Sequence, residues 1–320
     1  MQRRTLLMAG VAASVAPGLR AQAAWPVQPV RLMIAFPPGG PTDLTMRALA
    51  ENASKLLGQP VVIENRPGAG GTLPAQALQQ AKPDGYTLAQ IPLGVFRLPY
   101  TTKISWDPVK DITYILGITG YAFGVVVPTE SPIKTWADFV AWAKANPGKL
   151  NFANFGNGTS SHIYATAFAR TVGIDVVHVP YKGTADAVKD LLEGRVQAYF
   201  DAAPTAIQNA QTGRIKMVAV AAPNRMKAAP DVSTFNEQSI PGLDLTSWVA
   251  IVGPAKMQPE LVARINAALV QVLNSPDVRE FYARGAWETS PGSPADLAQD
   301  MRMAYDRWGA MIKAIGFEKQ

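Results

Sequence analysis

The chain has 320 residues, 48% of them hydrophobic, a formal net charge of +6 and no cysteine. This length is enough for two α/β units with hydrophobic cores of their own. The lack of cysteine excludes stabilisation by disulfides and leaves no thiolate ligand for a zinc site. The basic residues are scattered, without the basic and aromatic interleaving typical of nucleic-acid binding, so we expect no nucleic-acid partner.

The first residues predict an export signal that is cleaved after residue 23. Arg3 and Arg4 precede a short apolar run, and Ala21-Gln22-Ala23 has the small-x-small pattern of a cleavage site. The apolar run is shorter than the ~20 residues that a membrane span needs. The paired arginines resemble a twin-arginine signal, and a Sec signal with two basic residues is an equal alternative. Cleavage lowers the formal net charge from +6 to +3, because Arg20 also leaves, and we expect a periplasmic protein.

The first predicted strand, at 32–36, runs into a glycine turn and a helix. Glycines at 39 and 40 permit a close approach of the backbone to a guest. Pro41 suits the first turn of a helix, and Thr42 and Asp43 can cap its free N–H groups. Free N–H groups and the positive end of the helix dipole favour an anion there. An ordinary βα turn that binds nothing is the alternative.

The following elements predict a parallel α/β layer and then a second series of the same kind. A β-rich stretch at 112–127 is long enough to pass from one unit to the other, and 93–110 is predicted to be irregular. The other predicted strands are 60–65, 87–92, 150–155, 176–180, 196–200, 215–222 and 247–252. The predicted helices are 42–57, 73–81, 135–144, 163–172, one that follows 181–184 and ends at 192, 204–211, 259–273, 277–284 and 294–315, the last three packing back on the first unit.

The segment 156–162, Gly-Asn-Gly-Thr-Ser-Ser-His, repeats the design of the first turn in the second series. It again places glycines after a strand and hydroxyl groups at the start of a helix. The two turns are therefore candidates for opposite sides of one binding cleft.

Eight motifs, in this order along the chain, resemble those of one family. They are PPGGPTD at 37–43, GQPVVIENRPGAGG at 58–71, PDGYTL at 83–88, DPVKD at 107–111, ANPGKL at 145–150, GNGTS at 156–160, HVPYKG at 178–183 and PDV at 230–232. With them the chain resembles the Bug-type solute receptors, the extracytoplasmic binding component of tripartite tricarboxylate transporters.

The resemblance implies an α/β fold of the two-lobed periplasmic binding protein type II class, a Venus flytrap with crossing hinge strands. Lobe 1 is expected at 24–122 plus 224–320 and lobe 2 at 123–223. A small organic carboxylate would bind between the lobes, partly through ordered water. The expected partners are the membrane subunits of a tripartite tricarboxylate transporter. We expect a monomer without enzyme activity, and no cofactor, since 68–71 lacks the Lys-Ser/Thr of a P-loop.

The resemblance also predicts ligand-binding residues on both lobes, at the carboxyl ends of strands where open α/β sheets bind ligands. In the first lobe they are Phe36, Pro38, Gly39, Gly40, Thr42, Asp43, Gly94 and Phe96. In the second lobe they are Asn157, Gly158, Thr159, Ser160, His162, Tyr181, Lys182, Gly183 and Asp201.

The loop at 92–100 departs from the family, which commonly has a small, hydroxyl-rich loop at this place. Here the loop is bulkier, more apolar and carries Arg97. If it reaches the cleft, we expect a larger or partly apolar ligand, such as an aromatic carboxylate. If it points outward, Phe96 and Leu98 serve only as packing, and this second interpretation is favoured.

Two other functions stay open. Ser160 or Ser161, His162 and Asp201 include the residue types of a hydrolase triad. However, Ser161 and His162 are adjacent at a helix start, so their side chains diverge by roughly 100°, and no Gly-x-Ser-x-Gly elbow is present. The second alternative is a receptor that serves a sensor instead of a transporter.

Overall fold

The computed structural model describes residues 25–39, 41–68, 71–181, 184–244, 247–284, 287–289 and 291–319. The predicted export signal and three predicted ligand-binding residues, Gly40, Lys182 and Gly183, lie outside the described residues. Among the residues described, no helix is both long enough and apolar enough to span a membrane.

Strands β1 to β11 follow one another along the chain. They are Val30–Ile34 (β1), Val61–Asn65 (β2), Thr87–Pro92 (β3), Ile112–Tyr121 (β4), Phe123–Pro128 (β5), Asn151–Asn154 (β6), Val177–Pro180 (β7), Ala198–Ala202 (β8), Ile215–Ala221 (β9), Ser247–Pro254 (β10) and Glu288–Thr289 (β11). Within the described ranges they form one sheet in the order β11-β4-β10-β3-β1-β2 and another in the order β7-β6-β8-β5-β9.

Helices α1 to α10 cover both sheets. They are Pro41–Leu57 (α1), Leu73–Leu78 (α2), Leu98–Thr101 (α3), Trp136–Ala145 (α4), Ser160–Val172 (α5), Thr184–Leu192 (α6), Ala203–Ala210 (α7), Pro259–Leu273 (α8), Pro276–Arg284 (α9) and Pro294–Ala314 (α10). The stretch 93–110, predicted to be irregular, instead contains a 3₁₀ turn at Leu93–Arg97 followed directly by α3. Pro99 sets the first turn of α3, a role that a proline is suited for.

The parallel strands β1, β2 and β3 form the predicted βαβ layer, and β10 joins it antiparallel to β3. Apart from the exposed Arg31, strand β1 carries apolar side chains on both faces, because helices cover both. Its residues Val30, Leu32 and Ile34 pack with α1, α8 and α9 on one face. Met33 belongs to the other face, with α2, the 3₁₀ turn and α10. The predicted packing of the last helices against the first sheet is thereby confirmed.

The predicted long β stretch crosses between the sheets. Only Ala122 separates β4 of the first sheet from β5 of the second. The chain returns through 222–246, between β9 and β10. The exact limits of the two lobes stay a prediction, because sheet membership assigns strands and not domain borders.

Helix α10 connects the layers of the two sheets. Its start is fixed by a capping box between Ser293 and Asp296. Trp308 of α10 stacks on Tyr164 of α5, with ring centroids 5.2 Å apart and planes at 25°. Both residues belong to a buried cluster that contains side chains from both sheets, such as Ile91 and Phe152. The two units therefore share apolar packing as well as the crossing strand.

We expect the Trp308→Ala variant to lose about 3 kcal/mol of the free energy of unfolding, because it leaves a large cavity between α10 and α5. Met303→Ala is the matched control, since Met303 is on the same helix with 50% of its surface exposed. Chemical denaturation would measure both variants. Equal stability of the two would contradict this role for Trp308.

Candidate functional site

The turn after β1 is fixed by Asp43, which belongs to the first turn of α1 and is 1% exposed. Its Oδ2 accepts hydrogen bonds from the Gly39 N–H at 2.9 Å and from Arg47 Nε at 2.8 Å. Its Oδ1 accepts from Asn65 Nδ2 at 2.7 Å, and the same amide nitrogen donates to the Phe36 carbonyl. Burial raises the pKa of Asp43, but these hydrogen bonds outweigh it and leave the pKa below its ordinary value. Asp43 is therefore an ionised anchor of the turn.

Other predicted residues of this turn differ in their access to solvent. Pro38 and Gly39 are exposed, Phe36 is half-buried and Thr42 is buried. Gly39 adopts φ +80°, and a Cβ there would meet no atom within 4 Å. The backbone of Gly39 is therefore open to solvent, and the hydrogen bonds of Asp43 fix the conformation of the turn.

Sequence reasoning missed Gln90 of β3. Its Oε1 accepts a hydrogen bond from the Ala35 N–H at 3.2 Å, while its fully buried Nε2 has no partner among the described residues. A single amide inside an otherwise apolar strand was the available signal. Gln90 supports the chain directly before the first turn.

The second turn begins at Gly156 and ends where α5 begins. The Gly156 N–H donates to Asn154 Oδ1 at 2.8 Å, and Gly158 adopts φ +69°. The positive φ favours glycine at this position, and a Cβ there would be in ordinary van der Waals contact with Phe317 at 3.4 Å and Thr101 at 3.5 Å. Asn157 is exposed.

The three hydroxyl groups at the start of α5 have different partners. Thr159 is the N-cap, and its hydroxyl donates to the Gly156 carbonyl at 2.6 Å. Ser161 is fully buried and accepts from the Phe155 N–H at 3.0 Å. Ser160 Oγ accepts instead from Arg97 Nη1 at 3.4 Å. Thr159 and Ser161 therefore shape the turn, whereas Ser160 faces a residue of the first unit.

Arg97 reaches the second unit, contrary to the favoured interpretation that its loop points outward. It lies at the end of the 3₁₀ turn, is 5% exposed, and its Nε donates to the Gly158 carbonyl. Burial lowers the pKa of Arg97 to about 10, and the phenols of Tyr121 and Tyr164 oppose this shift. The guanidinium is thus charged at neutral pH and lies at the junction of the two units.

Gly94 and Phe96 act through packing. A Cβ at Gly94 would overlap Nη1 of Arg97 and lie 3.2 Å from its Cζ, so Gly94 leaves room for the guanidinium. Phe96 is fully buried and stacks on Tyr114, with ring centroids 6.2 Å apart. Within this loop, Phe96 and Leu98 therefore pack in the core, whereas the side chain of Arg97 crosses the junction between the two units.

His162 lies beside His178, with ring centroids 4.2 Å apart. His178 contacts Asn154 Nδ2 at 3.3 Å and Thr166 Oγ1 at 3.2 Å, as expected for a hydrogen-bonded, half-buried strand residue. Burial lowers the pKa of both histidines, and the charge of His162 contributes to bringing the pKa of His178 to about 4. Both rings are therefore neutral near pH 7.

Asp201 is the penultimate residue of β8 and is fully buried. Its Oδ1 accepts from Thr184 Oγ1 at 3.0 Å and from the Ala202 N–H at 2.9 Å, while Oδ2 has no partner among the described residues. Burial raises the pKa of Asp201 to about 7, against the effect of hydrogen bonds from Thr184, Tyr199 and Ala202. Tyr181, by contrast, donates its hydroxyl proton to Asp190 of α6 at 2.7 Å.

The residue types of a hydrolase triad do not assemble in the part of the chain that is described. The Ser161 hydroxyl is bonded within its own turn, and the buried Nδ1 of His162 has no hydrogen-bond partner there. The Asp201 carboxyl group accepts hydrogen bonds from Thr184 and Ala202. No nucleophile–base–acid chain connects these groups.

A cavity of about 420 Å³ lies away from all these residues, between α5 and α10. Arg170 and Thr171 line it from α5, and Arg307 and Met311 line it from α10. None of the predicted site residues contributes to its wall.

The model of the family described as the tripartite tricarboxylate transporter family receptor matches residues 45–317. The chain belongs to this family. A UPF0065 protein from the gbd 5′ region of Cupriavidus necator is 41% identical to it, over 100% of this chain and 99% of the relative. The family match confirms the Bug-type resemblance, and similar solved structures confirm the two-lobed α/β class.

Three solved structures are similar to this family member. The periplasmic binding protein BugD is 29% identical, with a TM-score of 0.82 over 92% of this chain and 100% of its own. MatC of Rhodopseudomonas palustris, solved with malate, is 30% identical, with a TM-score of 0.79 over 90% and 100%. A second R. palustris protein, solved with adipate, is 28% identical, with a TM-score of 0.84 over 92% and 100%.

The buried acid predicts a pH dependence for the receptor's stability. Between about pH 4, where a free aspartate titrates, and the folded-state pKa of about 7, the folded chain holds one more proton than the unfolded chain. Stability therefore falls as pH rises through this window, by up to about 1.4 kcal/mol per pH unit. Asp201→Asn should remove this slope, so its melting temperature relative to wild type should increase from pH 5 to pH 8.

Asp231→Asn, at an exposed carboxyl, is the control and should keep the wild-type slope. Thermal melts over the pH series measure all three proteins. If the melting temperatures of wild type and Asp201→Asn change in parallel with pH, Asp201 is ionised in the folded receptor over the whole pH range, and the prediction is wrong.

Proposed function

We propose that this receptor binds a small organic carboxylate between its two units and delivers it to the membrane subunits of a tripartite tricarboxylate transporter. The observation that carries the proposal is the contact of the 93–101 segment, which follows β3, with the turn that follows β6. Arg97 and Thr101 both approach Gly158 there. Carboxyl ends of strands from two sheets thus face each other, and open α/β sheets bind ligands at this edge.

The chemistry of the two turns fits an anion. The N-terminal end of α5 offers the Ser160 hydroxyl and the positive end of the helix dipole. On the opposite side, the turn after β1 offers glycine backbone. With both histidines neutral, Arg97 supplies a buried positive charge beside the turn after β6. A carboxylate there is attracted by donors from both units.

The mode of action follows from the two-unit architecture. Lobe 1, at 24–122 plus 224–320, and lobe 2, at 123–223, would rotate about the crossing at Ala122 and the return segment 222–246. Closure would bury the carboxylate against the two turns, with Thr42, His162 and Asp201 near the bound acid. We place the receptor in the periplasm as a monomer, after export by a twin-arginine or Sec signal. Because two related proteins were solved with malate and with adipate, dicarboxylates are the first candidates.

A thermal-shift screen tests the proposal most simply, since a ligand that binds only the folded state raises the melting temperature. Malate, adipate, citrate, benzoate and glutamate cover di-, tri-, aromatic and amino acids. A saturable rise with at least one acid, confirmed by calorimetry, is expected. No rise with any of them, or ester hydrolysis that disappears in Ser160→Ala, would contradict the receptor function.

Ser160→Ala should weaken binding of the acid found in this way by about 5- to 30-fold, because a lost hydrogen bond in a buried site costs about 1–2 kcal/mol. Thr171→Ala is the matched control on the same helix, since its exposed hydroxyl bonds only to the Ala167 carbonyl. Calorimetry measures both affinities. An unchanged affinity in Ser160→Ala would remove Ser160 from the binding site.

A further inference from the structure

Among the described residues, the buried charged side chains are Asp43, Arg97 and Asp201. Asp43 is paired with Arg47 at 2.8 Å. Asp201 is mostly protonated below pH 7, as its raised pKa requires. Arg97 differs from both, because it stays charged and forms no ion pair with any described carboxylate. The Gly158 carbonyl and the Ser160 hydroxyl, both neutral, are its hydrogen-bond partners.

We propose that Arg97 is the residue that pairs directly with a carboxylate group of the ligand and so sets the receptor's selectivity for acids that reach the junction beside the crossing strand. This inference rests on the proposed function and deepens it. The buried guanidinium lacks an anion in the described part of the chain, and the bound acid supplies that anion.

The energetics favour this role over a purely structural one. A buried charge costs several kcal/mol of desolvation unless an opposite charge or ample hydrogen bonding compensates it. The Gly158 carbonyl and the Ser160 hydroxyl, the latter 3.4 Å from Nη1, offset the desolvation cost of the guanidinium only in part. A protein that needed only a cross-link between the two units could use an uncharged side chain at lower cost. The retained charge indicates a charged partner.

The geometry suits a planar, two-oxygen partner. Arg97 uses Nε for Gly158 and Nη1 for the long contact with Ser160, and Nη2 makes no hydrogen bond within the described residues. Nη1 and Nη2 form the edge of the guanidinium that binds carboxylates in a bidentate manner. A carboxylate on that edge would exchange a long bond to a hydroxyl for two short charge-assisted bonds.

The position couples this contact to closure. Arg97 belongs to the segment after β3 of the first sheet, whereas Gly158 and Ser160 belong to the second unit. The phenols of Tyr121, the last residue of β4, and Tyr164 of α5 are close enough to affect its charge. An acid held by Arg97 and Ser160 together would connect the two units next to the crossing, so binding would favour the closed arrangement.

Gly94 determines where the guanidinium of Arg97 can lie. Its missing side chain leaves the space that the guanidinium occupies, since a Cβ would overlap Nη1. Gly94→Ala therefore displaces the charged group without removing it. This provides a variant that changes the position of the charge alone.

The test compares Arg97→Met with wild type, because methionine has a similar length and no charge. Thermal melts are recorded without ligand and with malate, adipate and the other acids of the screen, followed by calorimetry. Without ligand, Arg97→Met should melt at the wild-type temperature or above it, because an uncompensated buried charge is removed. With ligand, its melting temperature should no longer rise, and the dissociation constant should increase by about 30-fold or more.

Two further variants sharpen the result. Arg97→Lys keeps the charge without the planar fork and should recover part of the affinity. Gly94→Ala should weaken binding although Arg97 is still present. A large loss of stability in ligand-free Arg97→Met would overturn the proposal, since it would mark Arg97 as a structural cross-link. A wild-type ligand response in Arg97→Met would overturn it as well. If wild type itself binds no acid, the proposed function fails first, and the two failures are distinguishable.

Discussion

The two sheets depend on an almost uninterrupted strand path, in which Ala122 alone separates β4 from β5. Strand β4 pairs with β10 and β11 in one sheet, and β5 pairs with β8 and β9 in the other. Any rotation of one sheet against the other must therefore be absorbed at this point and in the return segment 222–246. Arg97, from the first unit, contacts the turn before α5 and the first residue of α5, so these groups form a direct polar contact between the two units.

The buried charges separate structural from functional demands. Asp43 is compensated by Arg47, Asn65 and a backbone N–H, so it stabilises the first turn. Arg97 and Asp201 are each buried with incomplete hydrogen bonding among the described residues. Such groups reduce stability, and proteins keep them mainly where binding or chemistry requires them. Arg97 lies at the junction of the two units, whereas Asp201 is near the end of β8 and bonds to Thr184 and Ala202.

Much of the fold could be predicted because it follows from local patterns. The limits of α8 agree residue for residue, Thr135 caps α4 as expected, and the crossing lies within the predicted β stretch. The 93–101 segment could not be predicted, because its short helical turns carry no apolar periodicity. The direction of Arg97 depends on where Gly158 lies in space, 61 residues away along the chain. The same holds for Tyr181, whose partner Asp190 becomes visible only once α6 packs beside β7.

A crystal structure with the bound acid that gives the largest thermal shift tests the central claim most directly. We predict a carboxylate at the junction of the two units, with oxygens within about 3 Å of the Arg97 guanidinium and of Ser160 Oγ. We also expect the turn after β1 on the opposite side of the ligand. An acid bound elsewhere, such as in the cavity between α5 and α10, with Arg97 still bonded only to Gly158 and Ser160, would contradict the claim.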